Sequence, residues 1–205
     1  MTRRIGIFGG SFDPVHLGHL VIASDIHDRL HLDAVHFVLA PRPPHKHLLW
    51  AADEDRIAML EAAIENDPRF ILDTREFSRS GPSWSVETVA SFAAEFPGAH
   101  LFFIMGEDSL ADFHTWREPD RLLQLAELAV AARPGFDVHP ERLSTFNEQE
   151  RSRIHPIESP QIEISSTMIR ARILSGASIR YLVPDAVATY IARSQPYGSG
   201  PLGSQ

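Results

Sequence analysis

Apolar positions along the chain alternate between two spacings. Residues 4–8 (RIGIF), 34–39 (AVHFVL), 70–73 (FILD), 100–105 (HLFFIM) and 128–132 (LAVAA) are short runs rich in β-branched, aromatic and aliphatic side chains, and they predict strands. The fourth is apolar at nearly every position, as a strand buried on both faces of a parallel sheet must be. Between these runs, residues 17–30, 53–66, 85–96, 118–125, 166–175 and 185–193 show helical spacing. Ile57, Leu60, Ala63 and Ile64 share one face of the second helix, with Asp53 placed to cap it. Ser85 opens the third helix and Pro97-Gly98 ends it, while Pro184 stands where a first helical turn tolerates proline. Residues 162–164 are expected to form a short edge strand before the 166–175 helix, and the acid-rich stretch 148–153 a solvated helix face.

Strand and helix in strict alternation predict an α/β fold, a single doubly wound Rossmann-like domain with a mostly parallel sheet flanked by helices. The domain is expected to span residues 1–195. The Gly/Ser/Pro-rich residues 196–205 (PYGSGPLGSQ) are expected to be a disordered tail. In such sheets ligands bind beyond the carboxyl ends of the strands. GGSFDPVHLGH, MGED and ARPG all fall there.

Charge and composition narrow the partners. The 205 residues carry 27 acids against 19 Lys plus Arg, a net charge of −8, which argues against a general nucleic-acid binder. A small phosphorylated ligand held by a few local donors remains compatible. Cysteine is absent, which removes disulfides, thiolate metal ligands and a thiol nucleophile. No apolar run approaches the ~20 residues that span a bilayer, and the N-terminal apolar run is too short for a signal peptide. No membrane association is expected, and the cytoplasm is the expected compartment.

The first strand-loop-helix carries the candidate chemistry. It has neither GxGxxG nor the GKS/T of a P-loop. It has Gly9-Gly10-Ser11, which expose backbone N–H groups, and then His16 and His19, three apart and so on one face of a helical turn. A helix N-terminus favours anions, and imidazoles there can donate to phosphate oxygens. The same residues are compatible with a tight turn bearing two surface histidines. In Ile164-Ser165-Ser166-Thr167-Met168-Ile169-Arg170, hydroxyls stand at a second helix start with an arginine one turn in. That is either a second anion site or a plain cap.

Taken together the segments resemble a known family. GGSFDPVHLGHL resembles the HxGH signature of the nucleotidyltransferase superfamily, and ISSTMIR its ISSTxxR signature. With PPHK (residues 43–46), MGEDSLADFHTW (105–116) and AARPG (131–135) in order between them, residues 4–193 resemble the bacterial nicotinate-nucleotide adenylyltransferase family. The resemblance implies adenylyl transfer from ATP to nicotinate mononucleotide, by direct in-line attack of its phosphate, with catalysis resting on positioning and charge stabilisation. It implies His16, His19, Lys46 and Arg170 as catalytic. Gly9, Gly10, Ser11, Phe12, His16, His19, Gly106, Asp108, Ile164, Ser165, Ser166 and Arg170 would hold ATP. Ser11, His45, Lys46, Trp84, Ser85, Thr88, Trp116, Arg117 and Arg133 would hold the mononucleotide. Mg2+ would ride on the ATP phosphates with no protein-held metal site, and the oligomeric state is left open.

The chain departs from the family pattern at the ring end. Ser83-Trp84-Ser85 stands where the family usually has Ser-Tyr-Thr, and Arg117 where an aromatic often follows the tryptophan. Arg117 could face the ring carboxylate or point to solvent at the start of the next helix. The rival readings are nicotinamide-mononucleotide or pantetheine-phosphate adenylyltransferase, and a non-catalytic nucleotide sensor on the same fold. A class I aminoacyl-tRNA synthetase would need a tRNA-binding domain for which this chain is too short. His27, His31, His36, His47, His100, His114, His139 and His155 show no metal-ligand spacing with acids.

Overall fold

The computed structural model describes residues 2–44, 49–132, 143, 145–160 and 162–198. Six parallel strands form one sheet in the order β3-β2-β1-β4-β5-β6. They are β1 (Arg4–Gly10), β2 (Ala34–Leu39), β3 (Phe70–Asp73), β4 (His100–Gly106), β5 (Glu127–Ala132) and β6 (Ile154–Glu158). The helices are α1 (Leu17–Arg29), α2 (Asp53–Ile64), α3 (Ser85–Glu95), α4 (Glu107–Ala111), α5 (Pro119–Leu125), α6 (Glu148–Arg151), α7 (Ser166–Leu174) and α8 (Asp185–Ser194). Strand order reverses between β1 and β4, so the crevice of this sheet opens beyond Gly10 and Gly106. Among the described residues no helix is long and apolar enough to cross a membrane.

The strands inside the sheet feed two cores through their period of two. Val35, Phe37 and Leu39 of β2, with Phe102 and Ile104 of β4, face the core built with α1, α2 and the C-terminal helices. Ile5, Ile7, Leu101, Phe103 and Met105 face the other core, with Val86, Val89 and Phe92 of α3. This two-sided burial is why β4 reads as a continuous apolar run.

Four expectations change. The edge strand is β6, paired with β5, and residues 162–164 are not strand; instead the Ile164 N–H turns back to the Ile162 carbonyl at 2.8 Å. IHPIE hides its strand because Pro156 breaks the apolar pattern, yet an edge strand tolerates proline on its unpaired side. Asp53 is not the cap of α2. Ala52 holds that position, and the Asp53 carboxylate instead takes Arg56 Nη2 at 2.5 Å. The expected domain boundary at 195 falls short. Tyr197 is 0% exposed and packs into the core, its hydroxyl donating to Met59 Sδ at 3.8 Å. The domain therefore includes residues 196–198, and 199–205 lie outside the described residues. Finally, α5 starts at Pro119, with Glu118 in the left-handed region at φ 50° ahead of it.

Candidate active site

The loop leaving β1 folds around one aromatic ring. Phe12 adopts φ 44° and is 2% exposed, its ring edge-on to Phe8 and to His19 at centroid distances of 5.7 and 5.1 Å. A Cβ on Gly10 would come within 2.9 Å of that ring, so glycine is required there by close approach. His16 is the N-cap residue of α1, and its backbone N–H donates to His19 Nδ1 at 3.2 Å. The two imidazoles stack with centroids 3.6 Å apart. Because His19 Nδ1 accepts, its ring proton sits on Nε2, a donor tautomer for an oxyanion. Gly18 completes the motif: a Cβ there would stand 3.1 Å from His16 Nδ1. Burial lowers the His16 pKa from 6.5 to about 4, so this imidazole is neutral at physiological pH. Its Nδ1 is buried with no hydrogen-bond partner.

The second signature meets the first directly. Ser165 Oγ accepts from the Met168 N–H at 3.2 Å and caps α7. Ser166 Oγ donates to the Pro14 carbonyl at 2.9 Å, and Arg170 Nη1 donates to the Asp13 carbonyl at 2.6 Å. The Arg170 guanidinium lies 5.4 Å from the centre of the Trp50 ring. Residues at opposite ends of the chain thus face one crevice, with two helix N-termini aimed at it.

Two residues that build this loop were not anticipated. The buried Asp13 carboxylate accepts from the Trp50 and Ala51 N–H groups, at 2.8 and 3.2 Å. Arg56, 0% exposed, donates to the Ser11 and Ala40 carbonyls at 2.8 and 2.9 Å. The sequence reading assigned no role to either residue. The one available signal was an acid lodged inside the histidine motif.

A cavity of about 330 Å³ continues from this loop across the sheet ends. Gly10, Ser11, Trp84, Ser85, Thr88 and Trp116 are among its walls. Trp116 is half-buried and stands edge-on to Phe103 at 5.8 Å. Arg117 lines the cavity, its guanidinium 5.2 Å from the centre of the Trp84 ring and its Nε 3.7 Å from Glu118. Its side chain is half-exposed, so neither expectation for it describes this position in full. Gly106 borders the cavity, and a Cβ there would meet nothing within 4 Å, leaving space for close approach of a ligand. Asp108 is exposed in the first turn of α4, just beyond Gly106. Gly9 is a wall of the cavity and Ile164 packs against the core below α7. His45, Lys46 and Arg133 lie outside the described residues.

The remaining polar groups do not converge on a metal. Among the described residues no three or more His, Asp or Glu stand together as ligands. His36 reaches Asp73 at 3.3 Å and His155 reaches Glu127 at 2.6 Å, each a pair within the fold. The site's donors are imidazoles, hydroxyls, a guanidinium and backbone N–H groups. That set suits phosphate oxygens.

Donors that suit phosphate oxygens thus gather at the switch point of a Rossmann-like sheet, beside a ring-sized cavity, an arrangement compatible with a nucleotidyltransferase. In accord with this, the cytidylyltransferase-like family matches residues 7–172. A Thermus thermophilus protein named "Probable nicotinate-nucleotide adenylyltransferase" is 44% identical over 194 residues, 95% of this chain and 99% of its own. A Rubrobacter xylanophilus protein of the same name is 43% identical over 195 residues, 92% of this chain and 89% of its own. The solved structure of Plasmodium falciparum nicotinic acid mononucleotide adenylyltransferase complexed with NaAD shares the fold, with TM-score 0.79 at 21% identity, covering 95% of this chain and 97% of that one. The chain belongs to the nicotinate-nucleotide adenylyltransferase family, within the nucleotidyltransferases.

Proposed function

We propose that the protein transfers the adenylyl group of ATP to nicotinate mononucleotide in the cytoplasm, giving deamido-NAD and pyrophosphate. A phosphate oxygen of the mononucleotide attacks the α-phosphorus. The bond from that phosphorus to the bridging oxygen breaks, and pyrophosphate leaves with its electron pair. Phosphate is nucleophilic near neutral pH, so the protein's task is to bring two anions together and stabilise charge on the transferring group. The observation that carries the reading is that the Ser166–Arg170 turn is hydrogen-bonded to Asp13 and Pro14 of the loop leading into His16 and His19, the same loop whose Gly10 and Ser11 wall the cavity with Trp84 and Trp116.

In this reading His16 and His19 donate to the α-phosphate side, with Gly9, Gly10, Ser11 and Phe12 lining the junction of the substrates. Ile164, Ser165, Ser166 and Arg170 hold the departing phosphates, Ser166 through its backbone N–H and Arg170 through guanidinium protons other than the one given to Asp13. Gly106 and Asp108 hold the adenosine. Trp116 stacks on the pyridine ring, and Trp84 and Ser85 bound its carboxylate end. Lys46, with His45 and Arg133, keeps its assignment to phosphate on the strength of the sequence motifs. The nucleotide enters as its Mg2+ complex.

The test is pyrophosphate release from MgATP with nicotinate mononucleotide, nicotinamide mononucleotide and phosphopantetheine offered separately. Turnover is expected to be fastest with the nicotinate form. Equal or faster turnover of the nicotinamide form would remove the acid preference while leaving adenylyl transfer in place.

A further inference from the structure

Behind the ring end of the cavity lies a buried polar cluster that the reaction above does not use. Glu76 sits in the 3-10 turn Arg75–Ser78 after β3, and Thr88 in the first turns of α3; they are 7% and 2% exposed. The Thr88 hydroxyl donates to Glu76 Oε1 and accepts from Arg79 Nη2 at 2.6 Å. Arg79 Nη2 also stands 3.6 Å from Glu76 Oε1, and its Nη1 stands 3.8 Å from Glu87. The second Glu76 oxygen, Oε2, is buried with no hydrogen-bond partner. Glu76 and Thr88 both line the cavity, beside Trp84 and Ser85.

A hydroxyl has one proton, and that of Thr88 is committed to Glu76. Thr88 therefore acts through its neighbours rather than on a ligand. Its N–H and its Oγ both lie within reach of the Trp84 carbonyl, at 3.2 and 3.4 Å. Trp84 is the N-cap residue of α3 and has no oxygen to cap it, so the first turn has no side-chain acceptor of its own. A buried carboxylate with an unpartnered oxygen is a poor stabiliser, and an apolar pair of similar volume would pack at lower cost. What the cluster supplies is direction. It ties the turn after β3 to the start of α3 and fixes where Trp84 and Ser85 meet the cavity.

We propose that Glu76, Thr88 and Arg79 are positioning residues for the mononucleotide, holding the Trp84–Ser85 edge of the cavity in the geometry that selects the anionic ring. This rests on the reading that the acceptor is nicotinate mononucleotide. The cluster's hydrogen bonds described above reach α3 and not the Gly9–Phe12 loop or α7, so its loss falls on the mononucleotide and spares ATP.

Steady-state kinetics of Thr88→Val, Thr88→Ser and Arg79→Gln, on both mononucleotides and on ATP, test this. Thr88→Val is expected to raise the KM for the nicotinate form about tenfold, the scale of one hydrogen bond to a charged group. It should also shrink the acid/amide ratio of kcat/KM, with the ATP KM within about twofold of wild type. Thr88→Ser, which keeps the hydroxyl, is expected to restore both. Should Thr88→Val fail to fold, Arg79→Gln reads the same split, because it loses the fork onto Thr88 and Glu76. An unchanged acid/amide ratio in Thr88→Val and Arg79→Gln would overturn the proposal, as would parallel losses for all substrates. Wild-type protein that ignores nicotinate mononucleotide and adenylylates another acceptor would overturn the functional reading first, and the proposal with it.

Discussion

His16 and His19 form one stacked pair but have separable duties. His19 has its Nδ1 occupied by the His16 backbone, which commits Nε2 to donation. His19→Ala is expected to lower kcat by about 10²–10³, the usual loss for one preorganised transition-state donor, with a smaller change in ATP KM. Steady-state kinetics check this, and a near-normal kcat would make His19 a bystander. His16 is the buried member. The folded protein keeps it neutral down to about pH 4, whereas the unfolded chain takes up its proton near 6.5. Between those values the unfolded state binds the extra proton. His16-linked stability is thus fully present above about pH 6.5 and is lost progressively as pH falls toward 4. A gap of that size corresponds to roughly 3 kcal/mol. Denaturant unfolding of wild type and His16→Asn at about pH 7 and about pH 4.5 should show the larger acid loss in wild type.

At the scale of elements, the site depends on how α1 begins. Gly18 occupies the first turn of this helix, where alanine would ordinarily be favoured by about 1 kcal/mol. Here the added Cβ would press on His16 Nδ1 at 3.1 Å, and His16 cannot yield without disturbing a 3.6 Å stack. Gly18→Ala is expected to leave the melting temperature close to wild type, because the two effects offset, and to cut kcat about tenfold through the displaced imidazoles. A melting curve and an initial-rate assay on the same sample separate these outcomes; a more stable, fully active variant would refute the steric account. The same element logic explains α7. Its cap is local, from Ser165, but Ser166 and Arg170 spend their donors on Pro14 and Asp13, which belong to the loop before α1. The two helix starts are built as one unit.

For the molecule as a whole, the chain end matters to the site. Tyr197 is buried against Met59 of α2, the helix whose Arg56 holds the Ser11 carbonyl. Ending the chain at residue 195 is expected to cost about 3–5 kcal/mol, the range for emptying a large aromatic from a core. Ending it at 198 removes no described contact and is expected to leave stability unchanged. Urea unfolding of the two truncations compares them directly, and equal midpoints would show that Tyr197 contributes nothing to the fold.

The sequence by itself determined five of the six strands, seven of the eight described helices and the two signatures that meet across the loop after β1. Those rest on local rules: periods of two and 3.6, glycine where backbone must approach, hydroxyls where helices start. It did not reveal β6, because an edge strand can carry a proline that breaks the apolar pattern. It did not reveal that Asp13 and Arg56 brace the loop after β1, since the partners through which they do so lie 16 to 45 residues away and are backbone atoms, which leave no trace in residue identity. Tyr197 looked like tail because its neighbours are Gly, Ser and Pro, and only its packing into the core beside Met59 of α2 makes it part of the fold. The chemistry of the site was legible because it needs particular side chains at fixed local spacing. Its architecture belonged to the tertiary structure, because packing joins distant residues by shape, and local sequence does not encode the shape of what lies opposite.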